Sequence, residues 1–198
     1  MAAVLSYCGE PIEVWEDGTW QARRGWARPQ RVTFARLRDR LGALCDIPDL
    51  ELFPARYGVA QRVMFRAAVE IGMAQRAFAA LAGLRALGII AQPARLAGLL
   101  NRAAGTIDFM GSSLGGMVVR VEGTDASGVP VHHAWHIAAD FDHGPEIPCM
   151  ATILLVRRLA RGQTLQAGAT TCMGLLKLVD FEPEFKRWGM VTDLSDSV

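Results

Sequence analysis

This sequence has few of the features that are typical of secreted proteins or of proteins stabilised by a bound metal ion. Its four cysteines, Cys8, Cys45, Cys149 and Cys172, lie far apart and form no C-x-x-C pair, so they indicate neither a disulfide framework nor a cysteine-based zinc site. We expect them to be reduced thiols, mostly buried. The N-terminus also has no basic stretch followed by a long apolar one, as a secretory signal would need. Cytoplasmic residence is therefore expected.

Long apolar runs and an excess of either charge are missing as well. The most apolar block, residues 77–84, is bounded by Arg76 and Arg85 and is far shorter than the roughly 20 residues that span a bilayer. The chain has 21 basic and 20 acidic residues and a formal net charge of +1, which gives no overall attraction to nucleic acid or to an anionic membrane. We expect neither partner, and a small molecule or another protein is favoured.

An arginine-rich strip near the N-terminus is a local exception to this balance. Phosphate contacts from arginine, together with base stacking on aromatic rings, are how single-stranded nucleic acid is commonly bound. A solvated face, a contact with another domain and a contact with an anionic substrate are alternatives that stay open. The strip is interleaved with Trp26 and Phe34 and contains Arg23, Arg24, Arg28, Arg31, Arg36, Arg38 and Arg40.

Residues that can build a core are plentiful. Of the 198 residues, 51% are hydrophobic, which is enough to bury a sizeable core in one large domain, or in one domain with a small satellite. No internal repeat and no low-complexity linker divides the sequence. The expected organisation is a single domain over residues 1–198.

The clearest local signal is a hairpin over residues 13–22. Asp17 and Gly18 stand between alternating residues and favour a two-residue type I′ turn. That register places Trp15 opposite Trp20, where side chains approach closely. A second, longer hairpin is predicted from residues 116–123 and 131–139, which a loop rich in turn residues joins.

The remaining elements follow from hydrophobic periodicity and from the positions of glycine and proline. Strands mostly joined as hairpins, with helices inserted in blocks, favour an α+β fold with a mixed, largely antiparallel sheet and helices packed on it. The predicted elements are a strand over 31–35, an extended run over 50–53, a strand over 61–71, a helix over 72–87 with Phe78, Leu81, Leu84 and Leu87 on one side, a helix opened by Pro93, a helix from Pro145 to Arg161, a loop after Gly162, an apolar segment over 172–179, a short helix over 183–188 and a polar tail.

Four stretches resemble the later half of saccharopine dehydrogenase-like (saccharopine reductase-like) oxidoreductases. Their order and spacing fit, and together they cover almost the whole chain. The stretches are PDLELFPARY at residues 48–57, GSSLGGMVV at 111–119, GPEIP at 144–148 and GATTCMGLL at 168–176.

The resemblance implies a C-terminal domain that shapes the substrate site and forms a dimer contact. In that family an N-terminal Rossmann domain binds the dinucleotide, but no G-x-G-x-x-G follows a predicted strand here, and residues 111–116 have the wrong glycine spacing. We therefore expect this chain alone to bind no cofactor and to be catalytically silent. NAD or NADP is expected only in an intact protein with the N-terminal domain. The expected partners are that domain, a small-molecule substrate and a second copy. The alternative is a stand-alone binding or scaffold module for a small or apolar ligand.

Candidate substrate-binding residues lie where the second hairpin meets the next helix. Asp140, Asp142, His143 and Glu146 join a strand end to a helix start, where a histidine beside carboxylates suits proton transfer. The structural alternative is that Asp142 or Gly144 caps the helix while Glu146 complements its dipole.

Gly116 and Met117 are the other candidates. Gly115 and Gly116 are expected to allow an unusual backbone turn into the strand, with close approach to a ligand as the functional option.

The histidines invite a metal site, which strand geometry opposes. His132 and His136 share a strand face but stand roughly 13 Å apart, while His133 faces the other way. Zinc ligands must converge within about 2.1 Å of one ion. We expect no metal site, and we assign no catalytic residue.

Overall fold

A computed structural model describes residues 1–106, 108–163 and 167–196, and for Asp108 the backbone only. Within these ranges the α-helices are α1 (Ala2–Ser6), α2 (Asp49–Tyr57), α3 (Gly72–Ala86), α4 (Ala97–Gly105), α5 (Glu146–Ala160) and α6 (Leu178–Arg187). The strands are β1 (Pro11–Glu16), β2 (Thr19–Arg24), β3 (Gln30–Val32), β4 (Arg40–Leu44), β5 (Arg62–Val63), β6 (Arg66–Ala68), β7 (Gly115–Thr124), β8 (Pro130–Ala139) and β9 (Val191–Asp196).

The predicted α+β class is confirmed. Every strand pair in the described ranges is antiparallel. The strands form three small sheets, ordered β2-β1-β5, β3-β4-β6 and β7-β8-β9. No helix in these ranges is long and apolar enough to cross a bilayer.

The contacts divide the chain into two compact units. The first consists of Met1–Thr33 and Asp39–Ser112, and the second of Phe34–Arg38 with the described part of Ser113–Val198. Two such units can belong to one domain, so the single domain over residues 1–198 stays a prediction.

The first hairpin of the first unit forms as predicted. Asp17 and Gly18 have φ of 52° and 69°, and both values are positive, as a type I′ turn requires. Trp15 pairs with Trp20, and the two indoles meet edge to face with centroids 5.3 Å apart.

Helix α3 is also confirmed, and Gly88 follows its end with φ 74°. Its buried residues are Gln75, Phe78 and Ala82, and Phe78 and Ala82 join a core with Leu5, Cys8, Trp26 and Ala43. Leu87, the last residue of the predicted apolar row, is 75% exposed.

Two predictions in the middle of the chain are wrong. Residues 50–53 are helical within α2, whose first turn carries Asp49 and Glu51 and whose end is Gly58 at φ 60°. Acidic side chains complement the positive end of a helix dipole, and glycine readily adopts the left-handed conformation that ends a helix.

The strand predicted over 61–71 is two short strands, of which β5 pairs with β1 and β6 with β4. The helix opened by Pro93 begins as a 3-10 turn, Pro93–Leu96, before α4.

The second unit contains the longer hairpin, β7 with β8, as predicted. One face of β8 packs on α5 and α6 through Ile137, Ala139, Met150 and Phe185. On the other face, the Ala35 N–H donates a 3.3 Å hydrogen bond to His136 Nδ1, and Arg36 pairs with Asp193 at 2.7 Å.

The end of the chain differs from the prediction. The expected polar tail is strand β9, which pairs with β8 from Val191 to Asp196, and the short helix begins earlier, at Leu178. Residues 164–166 of the predicted loop after Gly162 and the last two residues of the tail lie outside the described residues.

The cysteine prediction is partly wrong. All four are free, but Cys149 and Cys172 are exposed, so they are not mostly buried. Burial raises the pKa of the Cys8 thiol to about 11, which keeps it protonated and unreactive at neutral pH.

Candidate functional site

The candidate site in the second unit is a tight turn between β8 and α5. The His143 N–H donates to the Asp140 carbonyl at 3.0 Å, which closes a four-residue turn. Its two central residues, Phe141 and Asp142, have φ of 54° and 61°. A left-handed backbone costs about 1–2 kcal/mol at a residue with a side chain, and the Phe141 side chain is 78% exposed. The chain therefore holds a strained turn that presents an aromatic ring to solvent.

Ser113 clips this turn from the segment before β7. Its hydroxyl donates to the Asp140 carboxylate, and its carbonyl accepts the Asp142 N–H at 3.1 Å. Asp140 also accepts the Phe141 N–H at 2.7 Å. The Ser113 hydroxyl, followed by the Phe141 N–H, holds the pKa of Asp140 below its usual value. At neutral pH Asp140 is thus an ionised acceptor that stabilises the turn.

Asp142, His143 and Glu146 face outward from the clipped turn to different degrees. Asp142 is exposed, and the His143 and Glu146 side chains are each 30% exposed. His143 Nδ1 lies 3.7 Å from Glu146 Oε1, which is too long for a hydrogen bond. The imidazole meets Trp188 edge to face at 4.7 Å. This contact fixes the ring at the mouth of the turn, next to a carboxylate.

The start of α5 tests the structural alternative, in which Asp142 or Gly144 caps the helix and Glu146 complements its dipole. Pro145 is the N-cap residue, and in the described part of the chain no side chain caps it. The proposed capping by Asp142 or Gly144 is therefore wrong, while Glu146 does lie in the first turn, where its charge complements the dipole. Glu146 Oε2 is buried and has no hydrogen-bond partner among the described atoms.

The two glycines that begin β7, Gly115 and Gly116, act through close packing. Neither Gly115 nor Gly116 has a positive φ, so the predicted unusual turn is wrong. A Cβ on Gly115 would lie 2.7 Å from Gly144 Cα, which means that the two backbones touch. A Cβ on Gly116 would lie 2.5 Å from the Ile137 carbonyl oxygen and 3.1 Å from Leu37. The close approach at Gly116 is thus to protein.

The six predicted residues are only partly brought together. Asp140, Asp142, His143 and Glu146 share the turn, and Gly115 joins them through Gly144. Gly116 packs against Leu37, and Met117 pairs with Ile137 in the sheet and is 37% exposed. Sequence reasoning missed Ser113, although it lies in one of the quoted stretches, and Trp188, which no sequence signal marked.

Chemically, the turn offers carboxylates and an imidazole. The Ser113 hydroxyl donates to the Asp140 carboxylate, and this contact helps to hold the turn. Asp142 and Glu146 suit a ligand amine or hydroxyl, and the His143 imidazole can donate or accept a hydrogen bond. The arrangement fits recognition of a small polar molecule.

A metal centre finds no support in the described ranges, where no group of three or more His, Cys, Asp or Glu side chains could hold an ion. His132 lies opposite Glu122 and His136 opposite Val118. His136 Nδ1 accepts the Ala35 N–H, and burial lowers its pKa. The histidines therefore serve separate parts of the sheet.

Much of the arginine-rich strip is bonded within the protein. Arg23 pairs with Glu16 and Arg31 with Asp39, both at 2.5 Å. Arg24 donates to the Gly9 carbonyl at 3.2 Å. Such contacts favour the solvated-face alternative over a phosphate-binding strip.

The described residues line an open cleft in each unit. One in the first unit has a volume of about 330 Å³ and is lined by Ile89, Ile90, Arg95 and Leu96, among others. The other, in the second unit, has about 300 Å³ and lies between the end of α5 and α6, next to Arg157, Arg158 and Glu184.

No protein-family model and no curated protein matches this sequence.

Proposed function

We propose that this chain is the C-terminal, substrate-side and dimerisation domain of a saccharopine dehydrogenase-like oxidoreductase. The observation that carries the proposal is the contact between Gly115 and Gly144. It joins two of the stretches on which the resemblance rests, GSSLGGMVV and GPEIP, and it sets the turn of Asp142 and His143 beside them. The substrate is a small molecule with an amine, which Asp142 and Glu146 bind and from which His143 takes a proton.

NAD or NADP would bind to a separate dinucleotide domain. Dinucleotides bind at the carboxyl ends of parallel strands, on a glycine-rich turn that opens a helix. The described strands pair antiparallel only, so the residues present do not fit the cofactor. On this proposal the chain alone is catalytically silent and resides in the cytoplasm.

A symmetric dimer through the sheet of the second unit belongs to the same proposal. Val119, Trp135 and Leu194 lie side by side across β7, β8 and β9. Val119 is 44% and Leu194 71% exposed, so this end of the face has apolar surface to cover. Sedimentation velocity at micromolar concentrations should show a dimer that Leu194→Lys dissociates. A monomer would contradict the assembly.

The site is tested by titration of the chain followed by backbone NMR. The probes are saccharopine, lysine and glutamate, with NADH and NADPH in parallel. We expect saccharopine or an amino acid to shift the amides of Asp142, His143 and Glu146, and the shifts to vanish in Asp142→Asn. Neither dinucleotide should bind. Saturable NADH binding would contradict the proposal that the dinucleotide binds to a separate domain. Amide shifts confined to other residues would contradict the proposed substrate site.

A further inference from the structure

Acidic residues are missing from one long helical part of the first unit. Residues 71–107 contain no aspartate or glutamate, but they contain Arg76, Arg85, Arg95 and Arg102. The whole-chain net charge of +1 conceals this segment. The segment has a formal charge of +4, and most of its described residues are helical.

Three of these arginines point to solvent. Arg85 is bonded inside the unit, to the Glu10 carboxylate and to the Ser6 and Cys8 carbonyls. Arg76, Arg95 and Arg102 are exposed, and no ion pair joins them to a carboxylate whose side chain the structure describes. Their charges are therefore available to an external partner.

Helix α3 carries an outer apolar row as well as its buried one. The row runs Met73, Ala77, Ala80, Leu84, Leu87, with alternating steps of four and three residues, so it follows one side of the helix. Met73 is 59% and Leu87 75% exposed. Phe78 and Ala82 occupy the core on the opposite side. The outer row is thus apolar surface without a use in the core.

The apolar surface continues after α3. Ile89 is 66% exposed and lines the cleft with Arg95 and Leu96. Helix α4 has no fully buried residue. Its partly buried Ala97 and Leu100 pack against the core, while Leu99 is 66% exposed. Leu99 and Arg102 are three residues apart and share the outer side of α4.

We propose that the outer side of residues 72–105 docks on a membrane surface rich in anionic phospholipid. Basic helices with exposed large apolar side chains bind in the interfacial plane of a bilayer, where the arginines meet lipid phosphates and the apolar side chains enter the headgroup boundary. The occupant is a membrane and not a second copy, because a self-contact would face arginines with arginines and residues 71–107 bring no carboxylate to offset them. A membrane partner would depart from the expectation of none, which rested on the whole-chain charge.

The test is co-sedimentation of the full chain with large vesicles. One set is phosphatidylcholine alone, and the other contains about 30% phosphatidylglycerol to mimic an anionic leaflet. We expect binding to the anionic set only. Raising the salt from about 0.1 M to about 1 M shortens the Debye length from about 10 Å to about 3 Å and should release most of the protein. Each arginine replaced should weaken binding about fivefold, and Arg76→Gln, Arg95→Gln and Arg102→Gln together about a hundredfold.

Two matched variants keep the test sharp. Arg38→Gln, Arg56→Gln and Arg161→Gln together remove the same charge from exposed positions elsewhere and should bind like the unchanged chain. Arg76→Lys, Arg95→Lys and Arg102→Lys together keep the charge and should retain binding, which separates loss of charge from loss of folding. Absence of binding to anionic vesicles, or equal losses in both glutamine variants, would overturn the proposal. So would a dimer that Leu87→Asp dissociates without any vesicle binding, since a second copy would then cover the surface.

Discussion

Gly115→Ala should destabilise the second unit by an amount that the backbone contact predicts. The added Cβ would lie 2.7 Å from Gly144 Cα, about 1 Å inside the usual separation of non-bonded carbons. Both partners are backbone, so β7 or the turn before α5 has to shift. Overpacking of this kind costs about 1–3 kcal/mol, and we expect about 2 kcal/mol. In a chain of this size that lowers Tm by about 4–8 °C.

Two further glycines provide a graded control. A Cβ on Gly144 would lie 3.1 Å from Gly115 Cα, which is a milder overlap. The loss of stability in Gly144→Ala should therefore be smaller than in Gly115→Ala and larger than in Gly123→Ala. Gly123 lies in the same strand as Gly115 and has no atom within 4 Å of its added Cβ. Gly123→Ala should therefore leave the free energy of unfolding unchanged or raise it slightly, since alanine restricts the unfolded chain.

Denaturant unfolding measures the three free energies, and amide hydrogen exchange assigns the loss. In Gly115→Ala the Asp142 amide, which donates to the Ser113 carbonyl, should exchange faster, because a displaced β7 carries Ser113 away from the turn. If Gly115→Ala and Gly123→Ala unfold at the same denaturant concentration, the contact does not hold the turn and the proposed site loses its support.

Three other predictions concern single side chains. Burial lowers the pKa of His136 below 6.5, and its Nδ1 accepts the Ala35 N–H. The folded state thus favours neutral His136. The stability that this gives is complete above about pH 6.5 and should fall as the pH drops towards the lowered pKa. In His136→Gln, the free energy of unfolding should no longer show this decrease with falling pH. Arg157→Gln leaves the buried Glu184 carboxylate without its main partner and should cost about 2 kcal/mol in thermal unfolding, which a second change, Glu184→Gln, should largely restore. Trp20→Ala removes the edge-to-face indole pair and should cost about 1 kcal/mol in denaturant unfolding.

Elements whose signals are local could be predicted from the sequence. The Asp17-Gly18 turn sets its own register, and the longer hairpin joins across a loop of turn residues. Helix α5 has Pro145 at its start and Gly162 at φ 74° after its end. In each case the residues that decide the structure are neighbours in sequence, so long-range contacts did not need to be known.

Segments whose structure depends on distant partners could not be predicted. The tail is polar, with Thr192, Asp193 and Ser195 in β9, and it becomes a strand because β8 offers it an edge to pair with. The segment over 61–71 divides because β1 and β4 each take part of it. Sheet pairing outweighs local preference in both places.

The roles of the residues in the candidate site also depend on partners that are distant in sequence. Sequence could mark Asp140, Asp142 and His143 as polar residues at a strand end, but it could not separate their roles. The partners that do so, Ser113 and Trp188, lie 27 and 45 residues away from Asp140 and His143. Ser113 converts Asp140 into a fixed support, and Trp188 orients His143. Because Phe141 and Asp142 adopt a backbone that side chains disfavour, the turn holds its shape only while these distant contacts persist, and a ligand that binds Asp142 must act on a geometry that the rest of the unit imposes.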